Sequence, residues 1–132
     1  MSFDRRGGEV LKGDLIMPEM TKIEIVTRQS KLESLKNALN EIGITGMTVY
    51  NVLGYGVQKG QKQTYRGVSY SVDLLPKIKL EIVVCTVPVQ EVVDTALKVL
   101  RTGEIGDGKI FISPVSRVIK VRTGEEDKSA LL

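Results

Sequence analysis

This 132-residue chain has no histidine and no tryptophan. Without an imidazole, His-based acid–base chemistry, His metal ligands and His-containing catalytic triads are all excluded. Cysteine occurs once, at Cys85. One thiol cannot build an intramolecular disulfide framework and fits a reducing compartment; with no histidine to join it, a zinc site is not expected. Cys85 lies in an apolar run and reads as a small buried hydrophobe. Aromatic residues make up 5% of the chain, too few for a base-stacking surface, so nucleic acid is not the expected partner. No apolar run is long enough to span a bilayer. The start is charged and contains glycine, unlike a secretory signal. The net charge of +3 is a mild excess. It suits small anions or acidic partner surfaces.

The most informative stretch present is residues 102–109, Thr-Gly-Glu-Ile-Gly-Asp-Gly-Lys. Gly103, Gly106 and Gly108 leave backbone N–H groups open, and Lys109 adds a cation, the elements of a polyphosphate cradle. The spacing approaches a P-loop, but Ile110 stands where a Mg²⁺-binding hydroxyl belongs. The order is also helix–loop–strand rather than strand–loop–helix. The reading is a phosphate cradle of another design; its plain alternative is a Gly-rich turn.

Patterning separates a leader, residues 1–19, from one domain, residues 20–132. The leader breaks any period at Asp4-Arg-Arg-Gly-Gly8 and Gly13-Asp14 and is expected to be mobile and not necessarily native. Residues 22–27 alternate polar and apolar, a strand. Ser30 and Glu33 make a capping-box pattern, followed by Leu32, Leu35, Ala38, Leu39 and Ile42 on one helical face and a stop at Gly43. Residues 47–53 and 78–85 read as strands. Pro88 opens a second helix with Val89, Val92, Val93, Ala96, Leu97 and Leu100 as its stripe. Residues 110–112 and 115–121 close the chain as short strands. This β-α-β-β-α-β order is an α+β, ferredoxin-like sandwich with both helices on one face of an antiparallel sheet. The other face, with Val26, Thr48, Val52 and Val83, is expected to be too apolar to leave wet and so to be covered in a homo-oligomer.

About twenty residues, Tyr55 to Pro76, join the second and third strands. Loops of that length are uncommon in compact domains. This one is Gly-rich and basic, with three tyrosines, and reads as a mobile arm that could report on a ligand in the cradle. An inert insertion is the alternative.

These residues resemble one family. Thr45-Gly46-Met47-Thr48-Val49, Gly54-x-Gly56-x-Gln58-Lys59-Gly60, Tyr65-Arg66-Gly67-x-x-Tyr70, Val72-Asp-x-Leu-Pro-Lys77, Thr102-Gly103-x-Ile-Gly-Asp-Gly-Lys-Ile-Phe111 and Val121-Arg-Thr-Gly-Glu-Glu126 are similar to PII signal-transduction proteins from residue 21 to about 130. The resemblance implies a homotrimer with nucleotide sites in the clefts between subunits. It implies that ATP and ADP compete there and that 2-oxoglutarate binds together with MgATP. One long arm per subunit, the T-loop (about residues 55–76), would touch targets, most often the cytoplasmic face of an ammonium transporter. The protein would be cytoplasmic, membrane-associated only through that partner, and a regulator rather than an enzyme.

Residue by residue, the resemblance gives Gly106, Asp107 and Gly108 backbone contacts to phosphates and Lys109 a charge. It adds Lys120 and Arg122, two apart on an expected last strand and so on one face; a solvated basic edge is the alternative for this pair. Thr48, Glu81 and Val83 would line the nucleoside end. Gln58 would coordinate Mg²⁺ with phosphate oxygens and contact 2-oxoglutarate, and Lys77 would pair with its distal carboxylate. Arg66 would enter the transporter and Tyr70 is a possible uridylylation or adenylylation site; Val68 replaces a serine phosphorylated in some relatives. Val57, Glu104 and Lys120 depart from the commonest pattern in ways that should weaken triphosphate binding or narrow the preference for ATP. Two other readings stay open: a PII-like adenine-nucleotide sensor that ignores 2-oxoglutarate and serves another partner, and a slow nucleotide hydrolase.

Overall fold

The computed structural model describes the backbone of residues 19–55, 62–65, 68–71 and 74–132, with side chains for 19–55 and 74–132. The expected leader, residues 1–19, therefore lies almost wholly outside the described residues.

Strand β1, Thr21–Arg28, alternates strictly between buried and half-buried positions. That alternation is the two-residue period of a pleated strand with one covered face. Helix α1 (Leu32–Glu41) follows, then β2 (Thr48–Tyr55), a small hairpin of β3 (Lys62–Tyr65) and β4 (Val68–Ser71), and β5 (Leu74–Val84). Helix α2 (Val89–Leu100), β6 (Lys109–Pro114) and the single-turn α3 (Lys128–Leu131) complete the chain. The main sheet has the order β2-β5-β1-β6, and every neighbouring pair is antiparallel. This is the ferredoxin-like plan expected from the element order.

Both helices turn their apolar stripes to the same sheet face. Leu35 and Leu39 from α1 and Val92, Ala96 and Leu100 from α2 join Ile23, Ile25, Leu80, Ile82 and Val84 in one buried cluster. Fully burying one such side chain contributes roughly 1.5–3 kcal/mol. The stop at Gly43 holds: its φ is +101°, its N–H donates to Asn40 O, and the Ile44 N–H donates to Leu39 O. Those two bonds close a Schellman motif, which needs a left-handed residue at that position.

The structure departs from the sequence reading in four places. Ser30 and Glu33 do not form a capping box. Ser30 lies in a 3₁₀ turn, Gln29–Lys31, and α1 begins without a side-chain cap; Glu33 instead pairs with Lys36 at 3.1 Å. Residues 115–121 are not a strand: residues 118–120 pair only with the chain returning at 125–127, through the isolated bridge of Ile119 with Glu126 and the bonds from Lys120 N–H to Glu125 O (2.8 Å) and Asp127 N–H to Val118 O (2.7 Å), too short a pairing to make a ladder. The Tyr55–Pro76 connection shortens from both ends. Tyr55 pairs with Leu74, and β3 pairs with β4 inside the arm. Pro76 fits within β5 because pairing with β1 reaches only to Lys77, leaving Pro76 with β2 alone beside it. The open sheet face, finally, is not an apolar wall. Val26, Thr48, Val52 and Val83 do face outward, but the same alternation brings out Lys22, Glu24, Lys79 and Glu81. Lys22 lies 3.2 Å from Glu24 and 3.9 Å from Glu81, and Lys79 lies 3.7 Å from Glu81.

Candidate functional site

The turn after α2 is held shut by one side chain. The Asp107 carboxylate accepts hydrogen bonds from the Thr102 N–H (2.8 Å), the Thr102 hydroxyl (2.6 Å), the Gly103 N–H (2.9 Å) and Arg28 Nη1 (2.7 Å). The Thr102 hydroxyl, itself a donor to Asp107, accepts from the Glu104 N–H at 3.1 Å. The Thr102 hydroxyl and the Arg28 guanidinium lead in holding the Asp107 carboxyl far below the usual carboxylate range, and the two N–H groups add to them. Hydrogen bonds to the charged form do this directly. At the base of the loop, buried Thr27 donates its hydroxyl to Asp107 O at 2.9 Å.

The glycines of the motif have separate reasons. Gly108 has φ +105°, and a Cβ there would lie 1.9 Å from Val26 O. The loop must touch β1 backbone at this point, because Lys109, the next residue, starts the β6 ladder opposite Val26. Gly106, also at φ +105°, passes 3.1 Å from Arg28 Nη2 when given a Cβ.

Two cations rest against this loop. Arg28 Nη2 donates to Ile105 O at 3.0 Å, and Lys77 Nζ donates to Gly106 O at 3.1 Å. Burial pushes the Lys77 ammonium below its ordinary value, Arg28 pushes it the same way and Asp107 opposes them. An ammonium disfavoured by burial and by a like charge is one that an arriving anion would relieve. Lys77, Gly106, Asp107, Gly108 and Lys109 line one cleft of about 490 Å³, with Gly54 and Tyr55 from β2.

The other expected site residues lie elsewhere. Thr48, Glu81 and Val83 line a second cleft of about 400 Å³, together with Leu131 and Leu132 at the C-terminus. The two clefts have no lining residue in common. In β5, Lys77 and Val83 are separated by roughly 20 Å at a strand rise of about 3.3 Å per residue. Thr48 is opposite Glu81 across β2 and β5. Glu81 is already engaged: Tyr50 donates its hydroxyl to Glu81 Oε1 at 3.1 Å, and Lys79 Nζ sits 4.8 Å from the centre of the Tyr50 ring.

Lys120 and Arg122 do not share a strand face, since residues 121–123 form a turn. Lys120 is half-buried and lies 3.6 Å from Glu125, while Arg122 is exposed; neither lines the two clefts. Gln58, Arg66 and Val57 lie outside the described residues. Tyr70 is placed by its backbone in β4, opposite Gln63. Among the described residues no group of three or more His, Cys, Asp or Glu side chains could hold a metal ion, and no helix is long and apolar enough to cross a membrane.

Sequence reasoning missed Arg28, Thr27 and Tyr50. Arg28 and Asp107 are 79 positions apart, so no local motif joins them. Thr102 is different: a Thr-Gly pair five and four residues before an Asp is a local loop-closing pattern, legible in principle.

The family model described as nitrogen regulatory protein P-II matches residues 20–125. The nitrogen regulatory protein P-II of Klebsiella oxytoca is 53% identical over 112 residues, which cover 85% of this chain and all of that protein. Nitrogen regulatory protein P-II 1 of Escherichia coli K12 matches with the same identity and coverage. Among solved structures, the B. subtilis GlnK–ATP complex superimposes with a TM-score of 0.71 at 44% identity, over 88% of this chain and all of that one. Arabidopsis thaliana PII bound to citrate gives a TM-score of 0.69 at 38% identity, over 87% of this chain and 92% of that one. With this family match over residues 20–125 and these identities, the chain belongs to the nitrogen regulatory protein P-II family.

Proposed function

We propose that this protein is a carbon, nitrogen and energy sensor that binds ATP or ADP competitively and, with MgATP, 2-oxoglutarate. The observation that carries the reading is the loop of residues 102–109, clamped by Asp107 and flanked by Arg28, Lys77 and Lys109. It is a rigid, cation-edged cradle that suits phosphate and carboxylate oxygens. A relative's structure with ATP and another's with citrate, a polycarboxylate, support those two ligand classes for the family.

In this reading the Gly106–Lys109 segment contacts phosphates, and Thr48, Glu81 and Val83 take the nucleoside. Because these two groups line separate clefts of one chain, a complete site needs the loop of one copy beside the nucleoside cleft of the next. A homotrimer supplies that. It would also cover apolar surface: Val121 is 97% exposed in the turn that carries Arg122, and Phe111 on the open face is 46% exposed. Lys120 and Arg122 then meet phosphates from their turn rather than from a strand. Val57, Glu104 and Lys120 would reduce the advantage of ATP over ADP.

Mg²⁺ would be carried by phosphate oxygens with Gln58, and the described residues hold no acidic cluster that would compete for it. Lys77 would release Gly106 O and pair with the distal carboxylate of 2-oxoglutarate. Ligand state then sets the arm. MgATP with 2-oxoglutarate draws it back; ADP leaves it free to dock, with Arg66 entering the cytoplasmic vestibule of an ammonium transporter and Tyr70 available for nucleotidylylation. The protein would be cytoplasmic and meet the membrane only through that partner. It acts as a regulator, not an enzyme: the one carboxylate in the cradle that faces several donors, Asp107, is committed to holding the loop.

Lys77→Ala tests the assignment. At saturating MgATP, calorimetry should show 2-oxoglutarate affinity falling by about 10-fold or more, the worth of a charge-assisted bond of roughly 1.5–3 kcal/mol. Parent-like binding would remove Lys77 from the site.

A further inference from the structure

The first half of the loop is already an anion site, and the anion in it is the chain's own. The Thr102 N–H, the Gly103 N–H and the Thr102 hydroxyl converge with Arg28 Nη1 at 2.6–2.9 Å on two oxygens, both of Asp107. Gly103, at φ +90°, gives successive N–H groups the concave arrangement that binds anions elsewhere. The same guanidinium continues to Ile105 O, and Asp107 O is held in turn by Thr27. The two halves of the loop are thus fastened at Asp107: the Thr102 and Gly103 N–H groups are filled internally, and the stretch from Gly106 to Lys109 faces the cleft.

We propose that Asp107 is a positioning residue whose carboxylate stands in for a bound anion, acting through Arg28, Thr102 and Gly103 to hold the Gly106–Lys109 segment ready for phosphates. The proposal rests on the nucleotide reading above. It goes beyond it by giving the side chain, rather than the backbone, of Asp107 a role. It also separates two anion positions in the loop, one built in and one for ligand.

A built-in anion has a signature that a merely structural residue lacks: another carboxylate can replace it. In the full-length protein, Asp107→Ala should weaken ATP binding about 10-fold or more and leave adenosine binding within about 2-fold. Acetate at on the order of 100 mM should restore at least 3-fold of the loss in Asp107→Ala, compared with chloride at equal ionic strength. It should do nothing for the parent, whose site is filled, or for Asp107→Asn. The asparagine variant keeps the volume, so it tests the charge if the alanine variant fails to fold, and it should also lose about 10-fold. Hydrogen exchange at the Thr102 and Gly103 amides reads the same clasp without nucleotide: faster in both variants, and slowed again by acetate in Asp107→Ala alone.

Parent-like ATP binding in both variants would overturn the proposal, as would an acetate effect no larger than that of chloride. A parent that binds no ATP would sink the nucleotide reading instead. The exchange measurement would then still decide whether Asp107 holds the loop as a replaceable anion.

Discussion

Gly108→Ala is expected to take ATP binding out of the measurable range, a loss of at least about 100-fold. The Cβ would lie 1.9 Å from Val26 O, 2.9 Å from Val26 C and 3.0 Å from Thr27 Cα. All three neighbours are backbone atoms inside a paired strand, so no flexible side chain can swing aside. The residue would also have to hold φ +105°, a left-handed conformation that costs an L-residue roughly 1–2 kcal/mol. Relief requires the loop to leave β1, which opens the Val26–Lys109 pair and moves Gly106 and Lys109 together. Gly103→Ala separates the clash from the strain: its Cβ meets nothing within 4 Å but it keeps φ +90°, so its effect should be the strain alone. ATP titration of the two variants reads the order; equal affinities for Gly108→Ala and Gly103→Ala would mean that the loop does not lie against β1 as described.

Leu80→Ala should give the largest loss of stability, roughly 2–5 kcal/mol. Leu80 is fully buried in the middle of β5, opposite Ile25 on β1 and Val49 on β2, and belongs to the cluster with Leu35, Leu39, Val92 and Ala96. Neighbours on two strands and two helices cannot all close the gap, so a cavity remains and its cost adds to the lost transfer energy. For a domain between the 60–100- and 150–250-residue ranges each kcal/mol lowers Tm by about 4 °C, so a drop on the order of 8–20 °C is expected by circular dichroism at fixed protein concentration. Val49→Ala removes carbon from the same sheet face where the side chain is 43% exposed, and should lower Tm by only a few degrees. Similar shifts for the two would contradict the placement of the core.

The parts of the fold legible in the sequence are those where one face is covered and the other is not. Ile23 and Ile25 alternate with Lys22 and Glu24, and Leu35 and Leu39 recur at helical spacing, so period alone reveals β1 and α1. Residues 115–121 carry a similar alternation, but a strand exists only beside a partner, and the only partner beside Ile119 among the described residues is the short returning segment 125–127, which pairs with residues 118–120 alone. Ser30 and Glu33 have the spacing of a capping box. The 3₁₀ turn at Gln29–Lys31 moves the helix start past Ser30, and Glu33 turns to Lys36. In the site, the glycines and Lys109 were legible because the loop is continuous in sequence. The carboxylate at its centre was read for its backbone, because the donor that completes its shell, Arg28, comes from the far end of β1. Tyr50 on Glu81 was hidden for the same reason: register, not spacing, brings them together. The resemblance named Lys77, whose chemistry shows only once β5 sets it beside Arg28 and Gly106.

The central claim is that the phosphate and carboxylate ligands bind together. Calorimetric titration of 2-oxoglutarate into the protein with MgATP, repeated with MgADP, tests it most directly. Micromolar binding with MgATP and none with MgADP is the predicted result. Nucleotide binding with no 2-oxoglutarate heat in either case would contradict it and leave an adenine-nucleotide sensor with a different partner.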